Sequence, residues 1–152
     1  MIKILCVGKI KDRHLQELIA DYQERIGHYH RIEICEVRDE KITADEKMVL
    51  SLEGDRLLEK IGKDEFVILL DLHGRSVDSM AFAEMIDRSF VHHAKLTFVI
   101  GGSLGLDDRL RERADEKISL SKLTFLHSMT RLILLEQIYR SFKILNHETY
   151  HK

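Results

Sequence analysis

The sequence contains no proline. Its tight turns therefore rest on glycine, asparagine, aspartate and serine, which reach or stabilise turn conformations by other means. Cysteine is scarce as well. Cys6 and Cys35 each sit inside an apolar run, and no metal-ligand spacing surrounds them. Two such thiols describe a reduced chain rather than a secreted, cross-linked one. No apolar run is long enough to span a bilayer: the most apolar segment, LILLEQIYRSFKIL, carries Glu136, Arg140 and Lys143 and reads as a buried helix. The opening MIKILCVGKIK has too short an apolar stretch for a secretion signal and no small-residue cleavage site, so the cytoplasm is the expected address, with no membrane partner. An excess of one charge is also missing. Lysine and arginine number 24 against 26 acidic residues, a formal charge of −2. That balance excludes a purely electrostatic nucleic-acid binder and leaves room for a local basic face.

What is present suits one domain over residues 1–152, long enough to bury a sizeable core. Ile2 to Val7 reads as a strand ending at Gly8. Leu15, Leu18, Ile19, Tyr22 and Ile26 recur at helical spacing, with Gly27 as a stop. RIEICEV predicts a second strand near a sheet edge. TADE, Thr43 to Glu46, has the form of a capping box, and the helix it opens carries Met48, Leu52, Leu57, Leu58 and Ile61. FVILLDLHG predicts a strand buried on both faces. Phe82, Met85, Ile86 and Phe90 form a further helical stripe, and Leu96 to Ile100 a further buried strand. A short polar helix is expected from Leu104 to about Ala114, then a strand and loop over KISLSKLTF, then a helix capped by Ser128 and running to Leu145. Alternating strands and helices imply a largely parallel α/β sheet with helices on both faces. Leu132 to Leu145 is apolar around most of its circumference. Such a helix is either central in the domain or pressed against a second chain, and the second alternative predicts a dimer.

In open α/β sheets, ligands bind beyond the carboxyl ends of the strands. LLDLHG, VIGGSLG and SLSKLTF all fall there, and together they outline one crevice. Neither G-x-x-x-x-G-K-[ST] nor G-x-G-x-x-G occurs, which argues against a triphosphate loop and a dinucleotide fingerprint. GGSLG then has two readings: bare backbone against a ligand, or a tight turn with a helix cap at Ser103. His28, His30, His92 and His93 match no zinc or iron pattern, and surface roles and no bound metal are expected.

Four motifs in order, VIGGSLG, LSKLTFLH, RLILLEQIYRSFKIL and NHETYHK, resemble the RlmH family of SPOUT-superfamily methyltransferases. IKILCVGKIKD and LLDLHGR are similar to that family too, so the resemblance spans the chain. It implies a homodimer that uses S-adenosylmethionine to methylate N3 of a pseudouridine in 23S ribosomal RNA. It also implies a trefoil knot in the C-terminal half, an exception to the usual rules of chain connection. Carried onto this sequence, the cofactor would meet Leu70, Gly101, Gly102 and the run Leu120, Ser121, Lys122, Leu123, Thr124 and Phe125. His151 or Tyr150 would serve as base or positioning group, the alternative being a solvated tail. Lys9, Lys11 and Arg13, following the first strand, and Arg131 are candidate RNA contacts, the alternative for the loop being plain solvation. Glu136 and Arg140, four apart, either pair with each other or leave Arg140 for a phosphate. Leu126 stands where the family usually has proline, and His127 either touches substrate or caps the last helix. Beside this reading stand two others: a non-enzymatic α/β domain that binds a nucleotide or phosphate at GGSLG, and a ribosome-docking assembly factor.

Overall fold

Unbroken apolar runs need cover on both faces, and parallel strands flanked by helices supply it. The computed structural model, which describes residues 1–152, has that arrangement. In chain order the elements are β1 (Ile2–Val7), α1 (Arg13–Gly27), β2 (Ile32–Val37), α2 (Glu46–Glu59), β3 (Phe66–Ser76), α3 (Ser79–His92), β4 (Leu96–Ile100), α4 (Asp108–Arg113), β5 (Glu116–Ser119) and α5 (His127–Leu145). The five strands form one sheet in the order β2-β1-β4-β3-β5, with every neighbouring pair parallel. The alternation expected from the sequence is present, and β2 lies at an edge.

Successive side chains of a strand point to opposite faces. Ile2, Ile4 and Cys6 of β1 face one way and join Ile68, Phe98 and Ile100 in a core covered by residues of α1, α3 and α5. Leu5 and Val7 face the other way, with Val67, Leu69 and Val99, and are covered by Leu57 of α2 and Leu110 of α4. Helix α5 packs against both α1 and α3, burying Leu134, Leu135, Ile138 and Phe142. Its apolar circumference is thus largely used inside the chain, the first of the two alternatives offered by its sequence. Met129 remains 41% exposed and Ile133 half-buried.

Several local expectations are corrected. Asp45, not Thr43, caps α2, its carboxylate accepting from the Met48 N–H at 3.0 Å. The buried face of α2 is Val49, Glu53, Gly54 and Leu57, while Met48 and Leu52 are exposed. Gly54 has a packing reason: a Cβ there would lie 2.8 Å from that of Asp107. Strand β3 is buried on both faces only from Val67 to Leu69 and then runs on, mostly exposed, to Ser76. Helix α4 is confined to Asp108–Arg113 and is capped by Asp107, because the preceding residues form a turn. Helix α5 begins at His127 without a side-chain cap from Ser128 or any other residue.

At the amino end of the sheet, Lys3 is buried within β1 and meets Glu65 at 2.7 Å. Thr97 donates to the same carboxylate at 2.6 Å, and Lys95 pairs with it at 2.9 Å. Burial alone would raise the Glu65 pKa. The hydrogen bonds from Lys3, Thr97 and Lys95 outweigh it and lower the value from 4.5 to about 2. A depressed folded-state pKa contributes stability that is present above pH 4.5 and lost as pH falls toward 2. The loss is on the order of 3 kcal/mol. Chemical denaturation at a series of pH values should show this steep window in the wild type and a shallower one in Glu65→Gln. Equal slopes would refute the assignment.

Candidate functional site

Strands β4, β3 and β5 lie side by side, so the segments leaving their carboxyl ends converge. Leu70–His73, Ile100–Leu106 and Ile118–Leu126, less Lys122, wall a cavity of ≈610 Å³, with His127 and Thr130 of α5 and Arg111 of α4 completing it. The volume lies within the range of small-molecule sites, as does the mostly apolar lining. Of the cofactor residues named from the sequence, Leu70, Gly101, Gly102, Leu120, Ser121, Leu123, Thr124 and Phe125 all line it. Lys122 does not; its side chain is exposed.

The glycine loop is built by backbone crowding. A Cβ on Gly101 would lie 2.3 Å from the carbonyl oxygen of Gly105, and one on Gly102 would meet Glu53 Oε2 at 2.7 Å. The Gly105 N–H donates to the Gly102 carbonyl at 3.1 Å, and Gly105 itself has φ +95. Such a φ favours glycine. GGSLG is therefore a tight turn, although the helix cap falls on Asp107 rather than Ser103. Because the turn folds back on itself without side chains at Gly101 and Gly102, it presents main chain to the cavity.

The third wall has a different construction. Ser119 Oγ donates to the Ser121 carbonyl at 2.8 Å, and Ser121 Oγ accepts from the Leu123 N–H at 3.0 Å. These bonds hold the chain in an open loop whose apolar side chains stand at the rim, Leu123 70% and Leu126 72% exposed. Leu126 has φ −57 and ψ 139, backbone angles that a proline would also adopt. Its carbonyl accepts from Thr130 N–H and Oγ1, starting α5.

Sequence reasoning missed two charged residues of the cavity. Asp71, buried midway along β3 where its pairing with β5 is interrupted, accepts from Arg111 Nε at 2.6 Å and from the His73 N–H at 3.1 Å. Burial would raise the Asp71 pKa, but the Arg111 and His73 bonds hold it below the usual carboxylate value. A carboxylate inside the apolar run FVILLDL was a visible signal; nothing in the sequence marked Arg111. A smaller cavity of ≈150 Å³ adjoins the first through Gly102, Ser103, Leu104 and His127. It is lined by Asp39, Glu40 and Glu53, and burial raises the Glu53 pKa.

The C-terminal tail docks elsewhere. Tyr150 donates to Glu136 Oε1 at 3.1 Å, and the Arg140 guanidinium lies 4.7 Å over its ring. Arg140 also binds Glu136, the pairing expected from their spacing, and approaches His151 Nδ1 at 3.4 Å. Glu148 is held by Lys143 at 2.5 Å and by Tyr29 at 2.9 Å. The tail is thus packed on α5 and α1, but none of its residues lines the cavity of its own chain. From Thr130 to Arg140 the helix axis rises about 15 Å. Burial, first, and then contacts with Tyr22 and Glu136 push the Tyr150 phenol well above its ordinary pKa. At neutral pH it is a hydrogen-bond donor rather than a base.

Lys9 and Lys11 are exposed beyond β1, and Arg13 is exposed while pairing with Glu17 at 2.9 Å. Arg131 is corrected: it is 1% exposed and bonds Glu36 at 2.6 Å and the carbonyls of Val7 and Gly8 at 2.9 and 2.5 Å. A guanidinium so enclosed has no face for a phosphate. Of the four histidines expected at the surface, His28 and His92 are exposed. His30 stacks on Phe90 at 4.4 Å, and His93 lies 4.7 Å from Phe66. No group of three His, Cys, Asp or Glu side chains has metal-binding geometry, and no helix is long and apolar enough to cross a membrane.

A parallel sheet with a glycine-turn cleft at its carboxyl edge defines an α/β ligand-binding protein, and comparison makes the class specific. The family model described as "Predicted SPOUT methyltransferase" matches residues 1–151, and the chain belongs to that family. It is 48% identical to the ribosomal RNA large subunit methyltransferase H of Carboxydothermus hydrogenoformans, over 99% of both chains. It is 43% identical to the protein of the same name from Bacillus pumilus, again over 99% of both. Among solved structures, a probable methylase family protein from Haemophilus influenzae shares the fold with a TM-score of 0.57 at 14% identity, covering 99% of this chain and 70% of that one.

Three substitutions test this construction. Gly101→Ala should lower stability by roughly 1–3 kcal/mol through overpacking. Gly27→Ala, where a Cβ meets nothing within 4 Å, should be neutral or stabilising in thermal unfolding. Arg131→Ala should cost about 3 kcal/mol in urea denaturation, since it strips partners from Glu36 and two carbonyls. A loss below about 1 kcal/mol is incompatible with the clamp described.

Proposed function

We propose that this protein is an S-adenosylmethionine-dependent methyltransferase that modifies N3 of a pseudouridine in 23S ribosomal RNA, acting in the cytoplasm as a homodimer. The observation that carries the reading is the cavity. The segments that the family resemblance assigns to the cofactor are the segments that wall it, and Lys122 alone falls outside.

The donor set fits such a cofactor. Leu70, Leu120, Leu123 and Phe125 offer apolar surface for an adenine ring, and the main chain of the glycine turn offers polar groups for its edge. The one carboxylate in the cavity, Asp71, is neutralised by Arg111. A site without a free carboxylate avoids over-stabilising a sulfonium whose charge is lost in the transition state. When bound, the cofactor supplies an electrophilic methyl group. The chain supplies alignment, worth up to roughly 7–11 kcal/mol in favourable systems. The acceptor is an imide N–H whose lone pair is delocalised, so removal of its proton has to accompany attack. In this reading His151 assists that proton, with Tyr150 as a donor that positions the acceptor.

The tail lies along α5, away from its own cavity, which favours delivery of His151 and Tyr150 by a partner subunit. Leu123, Leu126 and Met129 are exposed apolar side chains around the same end of α5, the kind of surface a second copy would cover. The family's trefoil knot belongs to this proposal as well, with β3, β4 and β5 as its strands. Lys9, Lys11 and Arg13 follow β1 at the edge of the sheet where the cavity opens, and are assigned to RNA phosphates. Since the chain has no basic excess, assembled ribosomes are the proposed substrate rather than naked RNA.

Calorimetry should detect binding of S-adenosylmethionine and S-adenosylhomocysteine, and sedimentation should give a dimer. Ribosomes should be methylated far faster than an isolated RNA stem-loop. His151→Ala should lower kcat by about 10²- to 10⁴-fold. Phosphate binding without affinity for either adenosyl ligand would replace this reading with that of a non-enzymatic domain. Full activity in His151→Ala would remove that residue from the mechanism.

A further inference from the structure

The cavity wall contains one lysine or arginine, Arg111. Three of its five N–H donors are spent on the protein. Nε donates to Asp71 at 2.6 Å, while Nη1 donates to the Leu106 carbonyl at 3.1 Å and to Asp108 at 2.8 Å. Nη2 has no partner in the chain, and the side chain is 34% exposed. A guanidinium fixed on two sides with its remaining edge free is a preorganised receptor for an anionic oxygen.

Resting on the methyltransferase reading of the same cavity, we infer that Arg111 binds the carboxylate of the cofactor's methionyl tail through Nη2, with Asp71 holding the guanidinium in place. Charge arithmetic favours this ligand. S-adenosylmethionine carries a sulfonium, an ammonium and a carboxylate, so a lone buried cation would repel two of its three charges. Paired with Asp71, Arg111 adds no net charge to the cavity yet keeps a charge-assisted donor for the carboxylate. The bond to Leu106 adds a second consequence: the group that holds the ligand also holds the end of the glycine turn, so ligand and wall are positioned together. Arg111 is a binding residue in this assignment and touches neither the methyl group nor the acceptor.

The test compares S-adenosylmethionine with its decarboxylated analogue, which keeps the sulfonium and the amine. In titration calorimetry the wild type should bind the analogue on the order of tenfold more weakly. In Arg111→Met the preference should vanish, the two ligands binding alike. If loss of the partner of buried Asp71 prevents folding, the double variant Asp71→Asn/Arg111→Met removes the stranded charge and should behave in the same way. Equal affinities in the wild type overturn the inference without any variant. So does a tenfold preference that survives in Arg111→Met, or a variant that loses affinity for an RNA stem-loop while S-adenosylmethionine binding is unchanged. Failure of the wild type to bind either adenosyl ligand sinks the methyltransferase reading itself, and this inference with it.

Discussion

The buried guanidinium of Arg131 is the fixed point of the architecture. Taking a cation out of water costs several kcal/mol unless its donors are met. Here Glu36 on β2 and the carbonyls of Val7 and Gly8 at the end of β1 take up Nη1 and Nη2, and only Nε is left without a partner. The position matters more than the energy. Arg131 lies one turn into α5, so fastening it to the carboxyl edge of the sheet determines where the loop Ser121–Leu126 is delivered. That loop is the third wall of the cavity. A packing contact alone would tolerate sliding along the helix; a charge with three partners from two strands does not.

The other two walls depend on close approach of main chain to main chain. Gly74 presses on the backbone of Ile118, where an added Cβ would come within 2.6 Å. Ile118 is the β5 residue that faces both Leu70 and Arg75, so the residues between them leave the ladder and turn toward the cavity. Gly101 does the same against Gly105 in the next loop. The result is a cleft in which main chain is brought up beside the apolar side chains that line it. Peptide groups cost little ordering on binding, which is a sound basis for holding a small ligand in one orientation.

Much of this was legible beforehand, for identifiable reasons. Strand and helix alternate because apolar runs and 3.6-residue stripes alternate, and the edge position of β2 showed in its mixed pattern. Spatial order was not legible: nothing local puts β4 between β1 and β3. The face of α2 is not legible in its pattern because Met48 and Leu52 are apolar but exposed, whereas Glu53 and Gly54 are buried by contacts with Glu40, Gly102 and Asp107 that are distant in sequence. Arg131 departs from its sequence pattern for the converse reason. A basic residue on a helix ordinarily signals solvent, and its burial depends on carbonyls more than a hundred residues earlier. Arg111 carries no local signal, since its meaning comes from Asp71 across the cleft. The three loops of the cavity were found because strand ends in a parallel sheet share an edge, and that is a rule of topology rather than of local propensity.

Leu126 has a consequence for how the rim of the cleft behaves. In the folded chain it holds backbone angles that a pyrrolidine ring would impose, yet no ring imposes them. The denatured ensemble therefore explores more conformations at this point than it would with the ring, and folding has to remove that freedom. The difference is about 0.4–1 kcal/mol for such exchanges. The rim is thus shaped by neighbouring contacts, chiefly the two bonds from Thr130, instead of by covalent restriction. Order at the mouth of the cavity is consequently borrowed from the first turn of α5, and fraying of that turn would loosen the threshold before anything deeper is disturbed.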